Sequence, residues 1–180
     1  MGVTLNGCEF TLSETNQRAI DIVGTSTTDR LTAALTGNII NADDTGAVGA
    51  RIIAAGTSTL NLVGNGVAFN GGNGIGFQFD LGDDANVVLD SNAIVDNAFG
   101  ATGFLFDDIA AGSTVRIDAN QMQFRSTGVV VDRGIIFSSA GQTVQLQGTR
   151  NNVIQGATTD FQVPAGTTTG SFRLNGQNVP

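Results

Sequence analysis

Three acidic pairs, Asp43-Asp44, Asp83-Asp84 and Asp107-Asp108, stand among further aspartates at Asp80, Asp90, Asp96, Asp118 and Asp132. Two carboxylates facing each other across a groove could cleave a glycosidic bond, one as acid and one as base or nucleophile. Asp80 and Asp107 follow the pairs Phe77-x-Phe79 and Phe104-x-Phe106, so they could lie one structural repeat apart. The rest of the composition argues against a sugar-cleaving site. Such sites offer aromatic faces and long donors, and this chain has no Trp, Tyr, His or Lys. A lyase base is commonly Lys, Arg or His, and only Arg is present. Asp-rich turns also stabilise themselves through their own backbone, so solvated loops are the stronger reading.

Calcium is the other use for such oxygens. Phe79-Asp80-Leu81-Gly82-Asp83-Asp84 resembles a calcium loop in composition only, which leaves Asp80, Asp83 and Asp84 as weak candidate ligands. The regular Gly-Gly-x-Gly-x-Asp nonapeptide of calcium-binding rolls is missing. No metal or other cofactor is therefore expected. Cys8 is the single cysteine, so no internal disulfide can form, and a small buried side chain is expected there. Thr-rich stretches at Thr25–Thr28 and Thr167–Thr169 raise ice binding, but Thr is expected in loops without recurrence.

The charge excludes another class. A net charge of −8 with eight scattered Arg residues makes no basic stripe for phosphate, so no nucleic-acid partner is expected. No apolar run has membrane length, and no secretory leader is visible.

The elements that would position these groups are written in a repeat. An apolar-x-apolar pair, an Asn three residues later and a second apolar pair recur as Ala33-x-Leu35-x-x-Asn38-x-Ile40 and Leu60-x-Leu62-x-x-Asn65-x-Val67. They recur again as Val87-x-Leu89-x-x-Asn92-x-Ile94 and Val115-x-Ile117-x-x-Asn120-x-Met122. Weaker copies sit at Val3-x-Leu5, with Cys8 in the Asn slot, and at Val144-x-Leu146, followed by Asn152 and Ile154. Marker residues Leu5, Leu35, Leu62, Leu89, Ile117, Leu146 and Leu174 are spaced by 30, 27, 27, 28, 29 and 28 residues. A second apolar block follows each copy, from Ile20-x-Ile22 through Ala50-x-Ile52 and the Phe pairs to Ile135-x-Phe137 and Phe161-x-Val163.

A period in this range, built of strand pairs and Gly-rich turns, means a solenoid whose rungs bury one another. The expected fold is all-β: one single-stranded, right-handed parallel β-helix over residues 1–180, with about six rungs of 27–30 residues plus a final strand. An antiparallel sandwich would not return the same motif at every third strand. Stacked rungs place like on like. The marker residues form one inside column, and Phe77, Phe79, Phe104, Phe106 and Phe137 form an aromatic core stack. Asn38, Asn65, Asn92, Asn120 and Asn152 form a structural ladder, each Asn supplying the left-handed bend and hydrogen-bonding along the stack.

The copy Val87-Val88-Leu89-Asp90-Ser91-Asn92-Ala93-Ile94 and the ending Phe172-Arg173-Leu174-Asn175-Gly176-Gln177-Asn178-Val179-Pro180 resemble the β-helical repeat regions of large bacterial surface proteins. Autotransporter and inverse-autotransporter passengers are among these. The resemblance spans nearly the whole chain on a degenerate motif. It implies a stalk or adhesin displayed outside the cell or on the bacterial surface, a host or glycan ligand, and no catalytic residues. First and last residues stand at the same phase of the coil, which suggests a piece of a longer solenoid or head-to-tail stacking through the terminal rungs. A non-enzymatic structural or adhesive segment is thus the leading expectation. A self-assembling filament subunit and a polysaccharide-active enzyme with an acidic groove are the alternatives.

Overall fold

A computed structural model describes residues 1–125, 130–139, 143–164 and 168–179. Thr167 and Pro180, both singled out above, lie outside the described residues. Short strands of alternating inward apolar and outward polar residues follow one another three to a turn. The first turn holds β1 (Gly2–Asn6), β2 (Glu9–Leu12) and β3 (Arg18–Gly24), and the second β4 (Leu31–Thr36), β5 (Ile39–Ala42) and β6 (Val48–Ala54). The third holds β7 (Ser58–Val63), β8 (Gly66–Phe69) and β9 (Ile75–Leu81). The fourth holds β10 (Ala85–Asp90), β11 (Ala93–Asp96) and β12 (Thr102–Ile109), and the fifth β13 (Thr114–Asp118), β14 (Gln121–Phe124) and β15 (Arg133–Phe137). The sixth has β16 (Val144–Gln155), which runs through the Asn bend as one strand, and β17 (Thr159–Gln162). β18 (Thr168–Leu174) and β19 (Gln177–Val179) follow.

Corresponding strands of successive turns pair in parallel and make three sheets along the rod. Sheet A stacks β1, β4, β7, β10, β13, the first half of β16, and β18. Sheet B stacks β2, β5, β8, β11, β14 and the second half of β16. Sheet C stacks β3, β6, β9, β12, β15 and β17. Among the described residues this is a parallel β-solenoid without a helix, and only β18 with β19 is antiparallel. At strand spacing, six turns rise roughly 30 Å.

The inside columns follow the sequence for most of the rod. Leu5, Leu35, Leu62, Leu89 and Ile117 are register partners in order. The expected continuation through Leu146 and Leu174 needs correction. Leu146 pairs with Val115, two residues earlier, and with Gly170 on the far side. The sixth turn carries extra residues between Leu146 and Asn152. Their slack slides the strand by two, the smallest shift that keeps apolar side chains facing inward. Gly148 then falls on the Ile117 level, where a Cβ would run into the Ile117 carbonyl oxygen and lie 2.8 Å from Phe172 Cβ.

In sheet C the column Ile20, Ala50, Phe77, Phe104, Ile135, Phe161 is in register throughout. Beside it the rings of Phe79, Phe106 and Phe137 stack face to face, with centroids 4.7 and 4.3 Å apart. Phe77 and Phe104 meet tilted at 5.6 Å. Phe161 and Phe172 extend the cluster with edge-on contacts.

One column was not anticipated. Gly49, Gly76, Gly103 and Gly134 stand at successive turns inside sheet C, directly under Val67, Ile94, Met122 and Ile154 of sheet B. A Cβ on Gly76 would lie 2.6 Å from the Gly103 carbonyl oxygen and 2.7 Å from Ile94 Cδ1. Glycine here sets how closely sheets B and C approach.

At the far end β18 begins a seventh copy, as expected. Asn175 and Gly176, both at positive φ (48° and 82°), then turn the chain back. The tight turn brings β19 antiparallel onto the outer edge of β18, in place of another Asn bend.

Candidate functional site

Every sequence-predicted Asn lies in one buried file where sheets A and B meet. Asn38, Asn65, Asn92, Asn120 and Asn152 are each at most 2% exposed. Each Oδ1 from Asn65 onward accepts two hydrogen bonds from the preceding turn, one from the backbone N–H and one from the Nδ2 of its Asn. Each Nδ2 spends its second proton on a carbonyl of the preceding turn: Leu5, Leu35, Leu62, Leu89 and Ile117 in order. The amides are thus fully satisfied, which is the condition for a buried polar file to stabilise a core. Cys8 opens the file by donating its backbone N–H to Asn38 Oδ1 at 3.0 Å. Its thiol is half-buried, not buried as expected, because the first turn has a neighbour on one side only.

The left-handed residue of the bend is not the Asn. It is the residue before it: Gly7, Gly37 and Gly64 at φ 64°, 61° and 65°, then Ser91 at 55° and Ala119 at 54°. The amide cannot serve both duties, because an Asn at the preceding position would aim its side chain away from the file. Ala119 in this region costs about 1–2 kcal/mol relative to ordinary helical or extended backbone. Ala119→Gly should therefore raise stability by roughly 0.5–1 kcal/mol, the steric relief less the added chain entropy of glycine. Chemical denaturation would check this, and a loss of stability would contradict the assigned backbone.

The carboxylates spread over different surfaces. Asp80 and Asp107 are not equivalent. β12 bulges between Phe106 and Asp108, so Asp108 stands opposite Asp80 and Asp107 is the extra residue. Asp107 accepts from Gln78 Nε2, and Asp108 from Ser139 Oγ at 2.9 Å. Asp43 accepts from Asn70, whose side chain in turn accepts from Asn97, a short exposed second ladder. Asp44 and Asp83 bond to the next backbone N–H in their own turns. Asp80 belongs to β9, whereas Asp83 and Asp84 lie in the loop beyond it. Among the described residues no three acidic, His or Cys side chains are grouped to hold a metal ion, so these three do not converge.

Acids and arginines do gather beside the Asn file on the outside of sheet A. Asp118 Oδ2 accepts from Arg116 Nε at 2.7 Å, and its Oδ1 accepts the Thr149 and Arg150 N–H groups at 2.8 Å. Arg150 also pairs with Asp90, which accepts from Ser91 Oγ. Burial alone would raise the Asp118 carboxyl. The donors from Arg150, Arg116 and Thr149 outweigh it and hold the group below the usual carboxylate range. The cluster anchors the extra residues of the sixth turn and leaves no free acid–base pair.

The outer face of sheet A carries a second file. Thr32, Thr59, Asn86, Thr114, Gln145 and Thr169 are in register over consecutive turns. Thr therefore does recur on a strand, contrary to expectation, although Asn86 and Gln145 interrupt it. A cleft of about 660 Å³ runs beside this file, bordered by Arg30, Thr59, Asp84, Asn86, Thr114 and Gln147. Arg30 donates to Thr59 Oγ1 at 2.6 Å. Sequence inspection missed the file because its members vary between Thr, Asn and Gln, and only register shows that they align. No protein-family model, curated protein or solved structure matches the chain.

Proposed function

We propose that this chain is a structural, adhesive segment of a bacterial surface protein, working outside the cell by presenting a long regular face. The observation that carries the reading is the aligned file on sheet A. Hydroxyl and amide groups repeat there at strand spacing beside an open cleft, while Arg116 and Arg150 on the same sheet are engaged with Asp118 and Asp90. Such a surface suits a polymer of hydroxyl-bearing units, such as a glycan, contacted weakly at many points. The reading involves no catalytic step. The test is retention of the purified protein on immobilised polysaccharides and extracellular-matrix glycoproteins. Thr59→Val together with Asn86→Val should abolish retention without moving the melting temperature. Release of reducing ends or unsaturated sugars from any of these polymers would replace this reading with the enzymatic one.

Self-association is a second reading, favoured by the first turn. Val3, Leu5, Phe10 and Ala19 face inward yet stay partly exposed, and β1, β2 and β3 are paired on one side. A second copy laid on that turn would complete both. The opposite end is less open, because β19 covers the outer edge of β18. Association should therefore use the N-terminal turn, and a strictly monomeric species by light scattering at high concentration would exclude it.

A further inference from the structure

Three buried side-chain atoms among the described residues meet no hydrogen-bond partner: Ser58 Oγ, Asp96 Oδ2 and Asp132 Oδ2. The two carboxylates form one problem. Asp96 occupies an inward position of sheet B that other turns fill with Leu12, Ala42, Phe69 and Phe124. It is 2% exposed, and Asp132 is 0% exposed. Asp96 ends β11, whereas Asp132 stands just before β15 in the next turn. Asp96 Oδ1 accepts the Ala98 N–H at 2.9 Å. Asp132 Oδ1 accepts the N–H groups of Gly100 and Ala101. One oxygen is left on each side chain, and both side chains hold the same short stretch of chain, Asp96 through Ala98 and Asp132 through Gly100 and Ala101.

We propose that Asp96 and Asp132 share one proton, and that this buried carboxyl–carboxylate bond fastens the β11–β12 loop to the segment entering β15. Two ionised carboxylates in contact and out of water repel each other and lack donors. A single proton supplies the missing donor to both remaining oxygens at once. A divalent cation fits less well. Calcium takes six to eight oxygens, and these side chains have only two uncommitted. Asp96 holds the proton. Burial raises its affinity most, the Ala98 and Ala101 N–H groups oppose this, and the neighbouring Asp132 adds to it.

The surroundings contain few other charges. Phe69 and Phe124 are the register partners of Asp96 on either side. Exposed Arg125, after Phe124, borders the small surface cleft beside Asp96, and exposed Arg133 follows Asp132. The sign follows from proton counting. The folded chain holds a proton that the unfolded chain, with a carboxyl value of about 3.9, has already released. The contribution is therefore complete below that value and is lost as pH rises through the higher folded value. Asp118 and Asp21 act the opposite way, since their partners hold them low, and Asp160 is raised by its own burial. A comparison of parent and variant at each pH cancels these groups.

The test is thermal unfolding of the parent, Asp96→Asn, Asp132→Asn and the double variant from about pH 3.5, near the unfolded carboxyl value, up to about pH 9. An amide at either single position replaces the shared proton with a permanent N–H donor. Each single variant should match the parent at the acid end and exceed it by several degrees at the alkaline end. The double variant has no acceptor left between its two amides, so it should melt lower throughout. A protonated-carboxyl infrared band should persist in the parent above the pH at which ordinary carboxyls ionise, about 4, and vanish in Asp96→Asn. Single variants that lose stability equally at every pH, or a carboxyl band that disappears with the ordinary carboxyls, would overturn the proposal. So would a melting rise with calcium in the parent that Asp96→Asn abolishes, since a cation would then hold the pair.

Discussion

Asn92→Ala is expected to cost about 3–5 kcal/mol, a large share of the stability of a domain of this size. Asn92 Oδ1 is the acceptor for both the backbone N–H and the Nδ2 of Asn65, at 3.1 and 3.0 Å. Its own Nδ2 serves the Leu62 carbonyl and Asn120 Oδ1. Alanine leaves two donors on the Asn65 side without an acceptor in a place that water does not reach, and each such group costs about 1–3 kcal/mol. The Asn120 side suffers less, because the Asn92 backbone N–H still reaches Asn120 Oδ1 at 3.0 Å. The melting temperature should fall by roughly 10 °C, taking about 2–4 °C per kcal/mol. Asn92→Asp separates the two halves of the loss. A carboxylate keeps the acceptor for Asn65 but turns two acceptors, Leu62 O and Asn120 Oδ1, against a negative charge. That variant should therefore be weak at neutral pH and recover in part in acid, where the introduced carboxyl is protonated and regains one donor. An unchanged melting temperature for Asn92→Ala would mean that the file contributes no net stability.

Phe106→Ala is expected to cost about as much, 3–5 kcal/mol, for a different reason. Phe106 is 0% exposed and lies between two parallel rings, Phe79 at 4.7 Å and Phe137 at 4.3 Å. Truncation removes its transfer energy, breaks both ring contacts and leaves a cavity in the middle of a stack. The cavity closes poorly, because the backbone on either side is held in a parallel ladder at fixed spacing. Phe106→Leu should recover about half of the loss by filling most of that volume. Equilibrium denaturation measures both, and a cost below about 1 kcal/mol for the alanine variant would mean that the rung can collapse around the gap.

Both effects arise from columns, and the columns were the most legible part of the sequence. The Phe pairs at 77–79 and 104–106, with Phe137 one turn on, are adjacent in the fold because each turn returns at nearly the same length. The Asn residues were legible for the same reason, even Asn152 after its longer approach. What they do was only half legible. Hydrogen bonding along the file follows from stacking like amides. Assignment of the left-handed bend to the same residue failed, since Gly37, Gly64, Ser91 and Ala119 take it one position earlier. The glycines were visible as residues, yet the steric column of Gly49, Gly76, Gly103 and Gly134 depends on the approach of a different sheet. The acidic pairs were conspicuous in the sequence and proved to belong to separate turns. The buried acids with an unpartnered oxygen, Asp96 and Asp132, are isolated in sequence and carry no local signal.

By itself the sequence determined the solenoid, its number of turns, its strand sites, and the Asn, Phe and marker columns as far as Ile117. Those features need only a period, because a chain returning every 27–30 residues to the same alternation can bury it in no simpler way than by stacking. The tertiary structure decided wherever the period is broken. It chose a two-residue slide at Leu146, a bulge that sets Asp107 aside, a reversal at Asn175-Gly176 and the burial of two carboxylates from different turns. At such places an insertion has several local paths of similar energy. The path is selected by contacts between residues far apart in the chain, where one buried apolar side chain or one paired backbone group outweighs local preference.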